Sequence, residues 1–277
     1  MQQRFNLSLS ERAVWLVCVA HFFSHFYLIL LAPLFPQLAE RLNVGYTELG
    51  FAMTVFSLLS GFTQAPIGVM VDRYGAVPLL VAGVALQGIA FSLIGLTESY
   101  WMFVALLGFA GIANSVYHPA DYSILNNVVE PSRMGRAFSY HTASGLLGEA
   151  VAPVSILLLL AWISWHWALF VCGIAGVVVA IVLYVNAANL SGGLAANEES
   201  KGGNTSVDWR FYLTAPLLLG ILFFVGISMF TRGVTGFSVS AMHVGHGFSL
   251  SMATGLLSVW LVAVSYTHLT LPTILLV

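Results

Sequence analysis

Among the ionisable side chains in the long apolar runs of this 277-residue chain, six stand out: His21, His25, His118, Asp121, His141 and Glu149. A charged group held at membrane depth costs roughly 2.5–3.5 kcal/mol on insertion scales, so each of the six is a candidate for function. His21 and His25 are four residues apart and share one helix face. His118 and Asp121 are three apart, straddle Pro119, and share a face if the kink there is mild. His141 opens one apolar run and Glu149 lies near its middle. Imidazole changes charge near neutral pH and a carboxylate can hold or release a proton, so the set suits a proton or solute pathway. Each has a blander reading. His21 can cap backbone carbonyls, and His118 and Asp121 can satisfy carbonyls freed by Pro119. Glu149, read as an unpaired buried carboxylate, has the weakest structural excuse, a neutral form bonded to a neighbour being the alternative. Arg133 and Arg136 read as interfacial anchors, and His243 and His246 as solvated loop residues.

Other chemistry finds no support. The sequence has no phosphate-binding glycine loop before Lys-Ser/Thr, no G-x-S-x-G, no H-E-x-x-H and no C-x-x-C. His21 and His25 have a spacing that admits a metal ion, yet no acidic residue stands between or beside them in sequence. Cys18 and Cys172 sit inside apolar runs and imply neither a disulfide framework nor a zinc site. The expectation is no catalytic residue, no metal and no cofactor.

The elements that must position these residues are membrane helices. Hydrophobic residues make up 59% of the chain and charged ones 7%, against roughly 25% charged in soluble domains. That balance excludes a soluble enzyme and a disordered protein, and the lack of a basic patch excludes a nucleic-acid partner. Runs long enough to cross a bilayer lie at about 13–35, 47–70, 77–96, 100–128, 136–161, 166–188, 210–230 and 249–264. Between the sixth and seventh, the Gly-, Asn- and Glu-rich stretch 189–209 reads as a polar linker. With the N-terminus in the cytoplasm, Arg4, Arg12, Arg73, Arg133, Arg136, Lys201 and Arg210 lie inside, and Arg41 and Arg232 lie in outside loops. This matches the positive-inside rule, and Trp15, Trp101, Trp162, Trp165, Trp167 and Trp209 fall near helix ends. A weak repeat relates Phe22-Phe23 and Gly45-Tyr46-Thr47 to Phe223-Phe224 and Gly247-Phe248-Ser249. Six helices, a linker and a restart is the pattern of a transporter built from two parallel halves.

Between the second and third runs stands Gly68-Val69-Met70-Val71-Asp72-Arg73-Tyr74-Gly75-Ala76-Val77-Pro78-Leu79-Leu80, which resembles the signature loop of the major facilitator superfamily. Gly68, Asp72, Arg73, Gly75 and Leu80 match; Ala76 and Val77 stand where the family has basic residues. The resemblance implies an all-α integral membrane bundle, with helices one, two, four and five lining a cavity and this loop acting as a conformational latch through Gly68, Asp72, Arg73 and Gly75. By the residues themselves, Gly68 allows close helix approach, Asp72 suits the start of the third helix, and Gly75 permits the turn. Gly145 to Pro153 resembles a degraded antiporter Gly/Pro motif, whereas the fourth run lacks the arginine that drug–proton antiporters place before Gly108, which argues against that activity. Tyr117 to Tyr122 and Arg133 to Arg136 resemble the fosmidomycin-resistance branch.

The expected organisation is therefore a complete six-helix half at 1–188, the linker at 189–209, and two helices of a second half at 210–264. Residues 265–277 resemble translated sequencing-adapter read-through, so they are read as non-native, with native sequence ending near Val264. Small-residue stripes, Thr54-Ser57-Gly61-Gln64-Gly68 and Gly145-Gly148-Ala152 among them, are read as packing surfaces, and Pro66, Pro119 and Pro153 as hinges. The leading functional expectation is a multi-pass secondary transporter of the inner or plasma membrane, moving a small solute by alternating access on a proton or sodium gradient. The rivals are a membrane redox or haem-binding subunit, motivated by eight histidines, and a non-transporting fragment.

Overall fold

A computed structural model describes residues 8–191 and 213–274, with side chains up to residue 267. Most of the linker, Trp209 and Arg210 lie outside the described residues. Eight helical spans among the described residues are long and apolar enough to cross a membrane.

The first span is α1 (Leu9–Ile29), a single turn at Ala32–Leu34, and α2 (Phe35–Leu42). Ser8 and Glu11 open α1 with a capping box: the Glu11 N–H donates to Ser8 Oγ, and the Ser8 N–H donates to the Glu11 carboxylate at 2.9 Å. Then come α3 (Tyr46–Tyr74) and α4 (Ala76–Ile94) as the second and third spans, joined by Gly75 alone. Gly75 has φ +92°, a conformation that side chains resist, so the expected turn forms and the sequence needs glycine there.

The fourth span is divided into α5 (Tyr100–Asn114) and α6 (Tyr117–Val128). Pro119 has no N–H to give the Ser115 carbonyl, and the helix breaks at that turn. The expected hinge at Pro119 is a real interruption, whereas Pro66 and Pro153 lie within unbroken helices. The fifth span, α7 (Met134–Leu160), and the sixth, α8 (Trp165–Val185), complete the first group, followed by the short α9 (Ala187–Leu190). The seventh and eighth are α10 (Ala215–Ser240) and α11 (Leu250–Ile274). The α11 backbone stays helical past Val264.

The seventh span departs from the sequence reading. It runs from Ala215 to Gly245, ending in a wide turn at Ala241–Gly245, so Arg232 lies inside the helix and not in an outside loop. His243 is likewise on this span, its Nδ1 2.7 Å from the Phe248 carbonyl, which fixes the helix end.

Packing is tightest where glycines let backbones touch. α1 lies on α7, where a Cβ at Gly148 would collide with the Phe22 carbonyl. α4 lies on α8, where a Cβ at Gly88 would sit 2.6 Å from the Gly173 carbonyl oxygen. The expected stripe on α3 behaves differently: Cβ atoms at Gly61 and Gly68 would meet nothing within 4 Å among the described residues. Gly68 therefore brings no described helix close, because α3 packs by its opposite face on α5. Asp72 and Arg73 are exposed, Arg73 lying 5.4 Å from the Tyr74 ring centre, and α4 is capped by Gly75 with no side-chain bond. Asp72 thus does not cap α4, since Gly75 occupies that position.

Two apolar clusters fill the first six spans. One gathers Phe26, Tyr27, Leu34, Phe56, Phe91 and Phe103; the other gathers Val14, Val17, Val84, Val116, Ile124 and Leu183. Along α1 they meet at residues 21–25, where the two histidines stand. A third cluster joins Ile29 and Ala150 to Val239, Ala253, Leu257 and Leu261, seating α10 and α11 against the first and fifth spans.

Candidate functional site

The layer between the two apolar clusters holds all six candidate residues, arranged as two neighbouring carboxylate centres. Asp121, fully buried on α6, is the first. Its Oδ2 lies 3.0 Å from His141 Nε2 on α7 and 3.2 Å from His21 Nδ1 on α1. The His21 and His141 rings stack with centres 3.6 Å apart. His118, three residues from Asp121 on the same helix, makes no hydrogen bond to it among the described residues. Asp121 turns toward α1 and α7, while the His118 ring lies 5.2 Å from that of His21 and 5.6 Å from that of Tyr122. Nor does His21 cap a helix end: its ring faces the carboxylate.

Glu149, near the middle of α7, is the second centre. One oxygen, Oε1, takes both contacts: His25 Nδ1 at 2.9 Å and the Arg232 guanidinium, which donates from Nη1 at 2.9 Å. The reading of Glu149 as unpaired is thus corrected, because its partner lies on the seventh span, where the sequence reading had placed a loop. Pro153 also cannot donate to the Glu149 carbonyl one turn back, which loosens the helix at this residue.

Gly145 couples the two centres. A Cβ there would come within 2.9 Å of both His21 and His25, so only glycine lets the two imidazoles lie against α7. His21 and His25 touch each other at 4.7 Å between ring centres, completing a continuous row from Asp121 to Arg232 across four spans.

The fold also brings together what the sequence separates by a hundred residues. An acidic residue does stand beside His21, namely Asp121, and His21, Asp121 and His141 each offer one ligand atom within 4.8 Å of the others. A haem between His21 and His141 does not fit: their rings are stacked in van der Waals contact, with no gap for a porphyrin. Arg232 is the member of this row that sequence reasoning missed. Its signal was the apolar pattern of Val234, Phe237 and Val239 continuing beyond it.

Comparison with known proteins agrees with this architecture. The chain is 26% identical over 146 residues to a probable L-galactonate transporter of Escherichia coli K12, covering 53% of this chain and 32% of that protein. It is 26% identical over 236 residues to multidrug resistance protein MdtL of Escherichia coli K12 DH10B, covering 79% of this chain and 59% of the relative. The crystal structure of a bacterial homologue of the human lysosomal transporter Spinster, inward-facing and unoccupied, superposes with a TM-score of 0.69 at 17% identity, over 89% of this chain and 58% of that one. The chain thus spans between a third and three-fifths of the length of these proteins. The sequence model of the Major Facilitator Superfamily matches residues 17–275, and with eight membrane-length helices among the described residues, this chain belongs to the Major Facilitator Superfamily.

Proposed function

We propose that this chain is the working part of a secondary active transporter that moves a small solute by alternating access, with proton coupling through Glu149. One observation carries the proposal: Glu149 Oε1 is shared between His25 of the first span and Arg232 of the seventh. The charge on one carboxylate therefore ties the six-span group to the helices after the linker. Protonation removes that charge, weakens the hold on Arg232 and lets α10 move relative to α7; deprotonation restores it. A proton taken up on one side is thereby exchanged for a change in helix arrangement, which an ion-driven carrier requires.

The groups facing Glu149 are few. His25 comes from α1 and Arg232 from α10, while α11 brings no acid, histidine, lysine or arginine between Leu250 and Val264. His25 positions the carboxylate, and Arg232 is the partner that protonation releases. The helix end at Asp72 and Arg73, with the Gly75 turn, is assigned the latch role that the family resemblance implies. An inner- or plasma-membrane location with a cytoplasmic N-terminus is supported by the basic residues. Moving Arg232 into the membrane leaves Arg41 as the outside cation, against seven inside.

The relatives' names supply two solutes to try, L-galactonate and a drug of the kind multidrug resistance proteins act on. Proteoliposomes carrying the protein are expected to accumulate one of them when a pH gradient is imposed, with no demand for sodium, and Glu149→Gln is expected to remove the acceleration. Uptake indifferent to the pH gradient, or unchanged in Glu149→Gln, would overturn the proposal.

A further inference from the structure

We propose that His21, Asp121 and His141 form a binding site for a divalent transition-metal cation of the zinc, cobalt or nickel type. Two imidazoles and one carboxylate are the donor set such borderline ions prefer, in contrast to the all-oxygen shells of magnesium and calcium. The spacing suits them too. In a tetrahedral site with bonds of about 2.1 Å, ligand atoms lie about 3.4 Å apart. Here Asp121 Oδ2 is 3.0 Å from His141 Nε2 and 3.2 Å from His21 Nδ1, with all three ligand atoms inside 4.8 Å.

Hydrogen bonding alone leaves this cluster incomplete. Asp121 Oδ2 pairs with His141, but Asp121 Oδ1 and His21 Nδ1 are both buried with no hydrogen-bond partner among the described residues. Asp121 is 0% exposed, His141 2% and His21 3%, so bulk water does not compensate them. A cation bound by one nitrogen from each ring and by both oxygens of the Asp121 carboxylate answers both unpartnered atoms at once. The contrast with Glu149 is direct: that carboxylate already has its cation, Arg232.

The site is built from three helices, α1, α6 and α7, and the three protein ligands leave a further position open. His118 borders it. Its Nδ1 is also buried and unpartnered among the described residues, and its ring lies 5.2 Å from that of His21. Unlike the three ligands, His118 is only partly buried, so the entry route runs past it.

The test is a titration of the purified chain in detergent, without a histidine tag, with cobalt(II) followed by visible absorption. One cobalt per chain is expected, with the intense d–d bands of a four- or five-coordinate site and displacement by zinc. His141→Gln and Asp121→Asn are each expected to weaken binding by more than about a hundredfold, beyond what a change outside the ligand set costs. The double variant His243→Gln, His246→Gln is expected to bind as before. X-ray absorption on the zinc-loaded wild-type chain needs no variant and is expected to show two imidazoles and a carboxylate. No cobalt bands, bands lost in the His243/His246 variant but kept in His141→Gln, or a shell with fewer than two imidazoles would each overturn the proposal. The inference stands apart from proton coupling, since metal binding is read without transport and uptake without metal.

Discussion

The two buried carboxylates are 28 residues apart in sequence, adjacent in the same polar layer, and differ in what holds them. Asp121 is held wholly within the first six spans, by histidines of α1 and α7. Glu149 sits at the seam, sharing one oxygen between His25 and an arginine from the seventh span that is 41% exposed. The Asp121 centre therefore lies within the first six spans, whereas the Glu149 centre bridges them to the seventh. In the proposed cycle the Asp121 charge steadies its own group, and the Glu149 charge controls whether the seam opens.

The variant with the largest expected effect removes the support of both centres together. Gly148→Leu drives a side chain into the Phe22 backbone and separates α1 from α7, with a loss of about 3 kcal/mol or more read as a collapsed thermal transition in detergent. Asp121→Leu comes next. It leaves two buried imidazoles facing an apolar side chain and is expected to cost about 1–3 kcal/mol in the same measurement. Arg232→Ala tests the other carboxylate. Breaking a buried pair costs about 3–5 kcal/mol, but the exposure of Arg232 screens it to about 1–2 kcal/mol. The loss is expected to appear as easier proteolysis around α10, with little change in the six-span group. If Asp121→Leu loosens α10 as much as Arg232→Ala does, the distinction between the two centres fails. The smallest effect belongs to the exposed ion pair of Arg41 with Glu98, where Arg41→Ala is expected to shift stability by about 0–1 kcal/mol.

The sequence was most informative where length and composition decide. All eight spans were legible because about 20 apolar residues can do little else but cross a bilayer. Pro119 marked its own break, and Gly75 its turn, because each acts through its own backbone. The six candidate residues were also legible, since an ionisable group in an apolar run announces itself. Their pairing was not. His118 and Asp121 are neighbours in sequence, yet Asp121 pairs across helices, because packing of α1 on α7 sets which imidazoles reach it. Arg232 was misplaced because a polar cluster, Thr231-Arg232-Gly233, resembles the end of a span when judged by local hydropathy. The apolar pattern beyond it, and the carboxylate on α7 that it meets, show that the helix continues. Gly68 shows the opposite error, a packing residue by type whose face of α3 meets no described helix.

The most direct test of the account follows the distance between the fifth and seventh spans as pH changes. Spin labels at Leu147 on α7 and Val234 on α10, both on exposed faces, report it by pulsed dipolar spectroscopy in nanodiscs. The account predicts that the wild-type distance distribution shifts between mildly alkaline and mildly acidic pH, and that Glu149→Gln holds the acidic distribution at both. A distribution that ignores pH, or a Glu149→Gln protein that shifts as wild type does, would contradict the claim that this carboxylate couples protons to movement of the seventh span.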